Sequence, residues 1–258
     1  MTKNRNAFHI NSEGTKPDSI QQGILWLDKL IKTNPKNNKA LIVVNQLSVL
    51  DGVIADVLSV DVVKALKMGK KIEFGLVGEI TAATERTIPS SWNGSILAIY
   101  PSKKMLDKID TLSGVTDILI IPWVLSEMLF WIETWSSQEL NSSKPIAKKF
   151  NLDPIVETAL KSLTKSVNLS TGLAHPSDRT STIQMFEILL ENNISYNLDE
   201  VRAWLVSKGG WRPSDADKVV EIGQGVLDGK NFRTKGRMWR ENIIDIWRLD
   251  AAKNTSNP

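Results

Sequence analysis

Four short, largely apolar runs, Ala40–Asn45, Ile72–Gly78, Ser95–Tyr100 and Asp117–Ile121, alternate with segments whose apolar residues recur at helical spacing. Strands rich in Ile, Val and Leu on both sides must be covered on both faces, which is the pattern of a parallel sheet with helices above and below. Helices are predicted at 17–33, through Ile20, Ile24, Leu27, Leu30 and Ile31, at about 53–69, from Ser102 to Gly114 and at about 125–135. Ser48 and Asp51 have the spacing of a capping box ahead of the second helix. The polar residues 79–94, ending in a Trp92-Asn93-Gly94 turn, read as a connection between the second and third strands. The fold class that follows is α/β: a Rossmann-like, mostly parallel sheet of four strands or slightly more, with flanking helices.

Beyond Gln138 the pattern changes. Asn141-Ser-Ser-Lys-Pro145 is the strongest linker signal, and helical spacing then recurs at about 153–168, 181–191, 198–206, 214–228 and 237–249. A small all-helical C-terminal module is expected. The organisation predicted is a flexible N-terminus (1–16), the α/β domain (17–138), a linker (139–150), the helical module (151–250) and a flexible tail (251–258).

Composition narrows the chemistry. The chain has no Cys, which excludes thiolate metal sites, disulfides and cysteine nucleophiles, and leaves His9 and His175 as its imidazoles. His175-Pro-Ser-Asp178 reads as an extended lead into the helix at 181, capped by Ser177 or Asp178. The turn after the first strand, Asn45 to Gly52, lacks the glycines of a dinucleotide fingerprint, and no Gly-Lys-Ser/Thr phosphate loop occurs. No cofactor, catalytic residue or metal site is therefore expected. The apolar stretch Ile118–Trp135 is broken by Pro122, Ser126, Glu127 and Glu133 and is too short to span a bilayer, so no membrane partner is expected and a cytoplasmic location is.

In an open parallel sheet, ligands bind beyond the carboxyl ends of the strands. That rule nominates Asn45, Asp51, Glu79, Glu85, Arg86, Ser102 and Lys103 as candidates for a polar or phosphorylated ligand, with the helix start at Ser102 offering free N–H groups. Each also has an ordinary structural reading: Asp51 and Ser102 as caps, Glu85 with Arg86 as a solvated pair. Trp131 and Trp135 lie four apart on an otherwise apolar helix, which fits a core stripe better than a platform for bases.

The strongest charge signal is Gly229–Arg240. Its 12 residues hold Lys230, Arg233, Lys235, Arg237 and Arg240, no acid, and the aromatics Phe232 and Trp239. Cations interleaved with aromatics suit contact with a phosphate backbone and stacking on bases. The formal charge of the whole chain is only +3, so the signal is local. A helix-turn-helix reading of 181–228 is disfavoured because the last helix carries Asp215, Asp217 and Glu221. The function expected is thus a non-catalytic binding or regulatory protein that contacts DNA or RNA backbone through the basic segment. Two alternatives stand beside it. One is an enzyme acting on a nucleotide-like or phosphorylated small molecule at the strand ends; the other is a subunit of a larger assembly, a protein partner or a homo-oligomer, which nine Trp would suit.

Overall fold

The computed structural model describes residues 5–33, 38–74, 78–142 and 152–255. They fall into two compact units, one within residues 4–148 and one within 149–258.

The first unit is α/β. Its strands are β1 (Asn6–His9), β2 (Lys39–Val44), β3 (Ile72–Phe74), β4 (Gly78–Thr84), β5 (Gly94–Ile99), β6 (Val115–Ile121) and β7 (Gln138–Glu139), in the spatial order β3-β4-β2-β5-β6-β1-β7. Every pairing is parallel except β3 with β4. The pleat sends Ala40, Ile42 and Val44 of β2 into one core and Leu41 and Val43 into the other. Helix α1 (Pro17–Thr33) and the pair α2 (Val53–Leu58) and α3 (Val60–Lys67) cover the first core through Ile20, Leu27, Ile54 and Leu66. Helices α4 (Lys103–Thr111) and α5 (Leu129–Trp135) cover the second through Met105, Leu106, Ile109, Trp131 and Ile132. This two-sided burial is why β2, β5 and β6 read as continuous apolar runs.

Several boundaries differ from the expectation. Residues 6–9 are not a flexible terminus: β1 lies between β6 and β7, and His9 is buried. Its seat is tied down by Arg5, whose guanidinium meets Asp110 at 3.3 Å and the carbonyl of Leu112 at 2.6 Å. Asp110 also accepts the indole N–H groups of Trp131 and Trp135, so one buried carboxylate fastens β1, α4 and α5 together. The aromatic stripe is accordingly structural, although Leu129 and Trp123 remain exposed. Of the expected strand Ile72–Gly78, residues 75–77 lie outside the described residues, Ile72–Phe74 form β3, which pairs antiparallel with β4, and the polar segment 79–84 belongs to the inner strand β4. The helix expected at 53–69 breaks at Ser59, which sits at φ 73° between α2 and α3 within a run of β-branched residues. No side-chain cap forms at the 47–50 turn; Asp51 pairs instead with Lys67.

The second unit is helical: α6 (Pro154–Ser166), α7 (Pro176–Glu191), α8 (Leu198–Ser207), α9 (Pro213–Leu227) and α10 (Ile243–Thr255). Proline opens three of them, where a missing N–H is harmless. Asp153 caps α6 by accepting the Ile155 N–H, and Asn197 caps α8 by accepting the Asp199 and Glu200 N–H groups. Helix α7 starts earlier than expected, with the ring of His175 accepting the Ser177 N–H in place of a Ser177 or Asp178 cap. Val156, Leu160, Phe186, Leu205, Val219 and Trp247 form its buried interior. The tail assignment is corrected too, because α10 runs through residues 251–255 and buries Ala251. Most of the expected linker, 143–150, lies outside the described residues.

Candidate functional site

The strand-end candidates divide. Asn45, after β2, donates from Nδ2 to the Tyr100 carbonyl at 2.7 Å, beside Glu85 at the end of β4 and Ser102 after β5. Glu85 accepts the Ser102 hydroxyl at 2.9 Å, meets Lys104 at 3.2 Å, and its carbonyl accepts Lys108 at 2.8 Å. The Ser102 hydroxyl, with Lys104 and Lys108 adding, holds the Glu85 carboxyl below the usual carboxylate range. Ser102 also caps α4 by accepting the Met105 N–H. The end of α4 that would attract an anionic ligand thus already faces a carboxylate of the chain itself.

Glu79 is elsewhere. It is the second residue of β4, opposite Lys39 and six residues before Glu85, which at roughly 3.3 Å per residue puts it about 20 Å away at the other end of the strands. There it pairs with Lys71. Asp51 is exposed and held by Lys67, Lys103 pairs with Asp107, and Arg86 is exposed in the turn after β4. Among the described residues no group of three or more His, Asp or Glu side chains could hold a metal ion. The structure therefore brings together Asn45, Glu85 and Ser102 but not Asp51, Glu79 and Glu85.

The basic segment lies in the second unit, in the irregular residues 228–242 between α9 and α10. The helix expected from Arg237 begins only at Ile243. Lys230, Arg233, Lys235, Arg237 and Arg240 are all exposed. Arg237 pairs with Glu241, and among the described residues the other four have no carboxylate partner. The backbone beneath them is fixed. Gln184 of α7 donates from Nε2 to the Gly236 carbonyl and accepts the Met238 N–H at Oε1, both at 2.8 Å. Trp239 donates its indole N–H to the Ser181 carbonyl at 2.8 Å and packs edge-to-face on Trp247, with ring centroids 5.5 Å apart. Trp239 is therefore an anchor and not a free stacking surface. Phe232 sits over Gly225, where an added Cβ would lie 2.6 Å from its ring.

Residues 152–248 match a domain of unknown function, DUF1889. That match covers α6 to α9, the basic segment and the start of α10, and less than half of the chain. No curated protein and no solved structure matches the chain.

Within the matched region, folding adds residues to the basic segment that its sequence does not announce. Arg179 of α7 lies 5.5 Å from the Phe232 ring centroid and Lys230 5.3 Å from it. Lys218 of α9 joins them around a cavity of about 350 Å³. Their sequence separation from 230–240 leaves no local signal by which to find them. The acidic face expected on α9 is partly turned inward: Asp215 is buried, holding Arg212 at 2.8 Å and Lys218 at 3.1 Å, and Asp217 pairs with Arg202. Of the nine Trp, five are buried and only Trp123 is exposed, so the tryptophan content reflects cores and does not by itself call for an assembly partner.

Proposed function

We propose that this protein is a non-catalytic binding protein that contacts the phosphate backbone of DNA or RNA through residues 228–242. The observation that carries the reading is a connection of 15 residues without regular structure, fixed by Gln184, Trp239 and Phe232, that holds five exposed cations toward solvent. Connections of that length inside a compact unit are usually functional or disordered, and three separate anchors speak against disorder. Cations whose positions are set before the encounter favour backbone contact, since ordering a loop on binding costs entropy.

The test is anisotropy of labelled single- and double-stranded DNA and RNA over a salt series, with the full chain and with a variant carrying Arg233→Ala, Lys235→Ala and Arg237→Ala. Five contacts to duplex DNA imply a slope of log K against log salt near −4.5, and removing three should leave about −1.8. No binding at low salt, or an unchanged slope in the variant, would overturn the reading.

A further inference from the structure

The cavity beside the basic loop has a composition of its own. It is lined by Arg179, Lys218, Lys230 and Glu221 around an apolar surface of Leu173, Ala174, Ile222 and Phe232. Lys218 is held by the buried Asp215, whose other oxygen holds Arg212, so the lining and its immediate support set four cations, Arg179, Lys218, Lys230 and Arg212, against the two carboxylates of Glu221 and Asp215. The balance of about +2 is close to the charge of a phosphomonoester, roughly −1.5 to −2, and above the single charge of an internal phosphodiester. Its volume, about 350 Å³, is at the small end of the roughly 300–1,000 Å³ typical of ligand pockets, the scale of one nucleotide and not of a dinucleotide.

The walls are built to hold this shape. Gly172 turns at φ 59° ahead of Leu173 and Ala174, and a Cβ there would lie 2.4 Å from the buried carboxyl group of Asp215. That same carboxylate fixes Lys218 at the rim. Phe232 is seated on Gly225 and flanked by Arg179 and Lys230, a cation–π arrangement that keeps both charges near the ring. Among the described residues neither Arg179 nor Lys230 is neutralised by a carboxylate, so both remain available to an anion, and Arg179 can offer two parallel N–H groups to phosphate oxygens.

We propose that this cavity binds a nucleoside phosphomonoester, with the phosphate on Arg179, Lys218 and Lys230 and the nucleoside against Leu173, Ile222 and Phe232. Lys230 belongs both to the cavity and to the basic loop, so the cavity would hold the 5′-phosphorylated end of a strand whose following phosphates lie along Arg233, Lys235 and Arg237. This placement of the strand rests on the backbone reading above; the cavity's preference for a phosphomonoester does not.

The experiment compares a 5′-phosphorylated single-stranded 12-mer, the same 12-mer with a 5′-hydroxyl, and free AMP and UMP, each titrated calorimetrically into the full chain. A 5′-phosphate should tighten oligonucleotide binding about tenfold or more. Arg179→Gln, an exposed change, and Phe232→Leu, which keeps an apolar group over Gly225, should each erase that ratio. The Arg233, Lys235 and Arg237 triple alanine variant should weaken both oligonucleotides alike and preserve it. Equal affinity for the two 12-mers with no heat from AMP or UMP would overturn the proposal while leaving backbone binding intact. Mononucleotide binding sensitive to Arg179→Gln without any oligonucleotide binding would support the cavity and overturn the strand reading.

Discussion

Replacing Gln184 by Ala removes no charge and touches no candidate ligand contact, yet it should weaken nucleic-acid binding. Its side chain makes two hydrogen bonds to the loop backbone, to the Gly236 carbonyl and from the Met238 N–H. A neutral hydrogen bond contributes about 0.5–1.5 kcal/mol net, and because both backbone groups can turn to water, the pair is worth about 1–2 kcal/mol. If the loop must be ordered when it binds, that loss reappears in the affinity as about a five- to thirtyfold weakening, at about 1.4 kcal/mol per tenfold. All five cations stay, so the slope of log K against log salt should not move. Anisotropy titrations at four salt concentrations measure both quantities, and hydrogen exchange at the Met238 amide reports whether the loop has been released. Lost protection at Met238 with unchanged affinity would refute the claim that a fixed loop matters to binding. A changed slope would show instead that Gln184 acts by placing individual charges.

Three further outcomes concern stability. Asp110→Ala leaves the Arg5 guanidinium, with 1% of its side chain exposed, without its carboxylate, and should lower the unfolding free energy by about 3–5 kcal/mol in a denaturant titration. Gly172→Ala forces a left-handed backbone on a residue with a Cβ against Asp215 and should cost at least about 1–2 kcal/mol, read as a lower melting temperature, with the 350 Å³ cavity disturbed at its wall. Burial lowers the pKa of His9, partly opposed by Glu139, so the folded state binds its proton less readily than the unfolded chain. The associated stability is complete above the ordinary histidine value of about 6.5 and is lost as pH falls from there through the folded pKa. His9→Gln, which can still meet the Ser137 hydroxyl, should flatten stability against pH in that window, and an unchanged profile would remove His9 from the acid response.

What could be read from the sequence tracks where the burial signal is local. β2, β5 and β6 are covered on both faces and announce themselves as apolar runs. β4 does not, because along Gly78–Thr84 only Gly78, Ile80 and Ala83 are buried, while the apolar Ile72 ahead of it belongs to the antiparallel partner β3. One misplaced strand boundary moved Glu79 from the start of β4 to an imagined crevice, and the alternative enzyme site lost a carboxylate with it. β1 is four residues long and its partners lie more than a hundred residues away, so no window of sequence contains its reason for being extended. The basic loop was legible as a charge cluster, whereas Arg179 and Lys218 reach it only through the packing of α7 and α9.

The position of β1 also sets an order on events during synthesis. Asn6–His9 leave the ribosome before the strands that flank them, since residues 117–120 and 138–139 follow more than a hundred residues later. At roughly 5–20 residues per second, that is a delay of about 5–20 s in which the first strand has an open edge on each side. Helix α1 and strand β2 can form meanwhile from local and neighbouring contacts, but the sheet has a gap until β6 arrives and β7 closes it. The α/β unit should therefore acquire protease resistance abruptly, when nascent chains reach past residue 139, and not in proportion to the length translated.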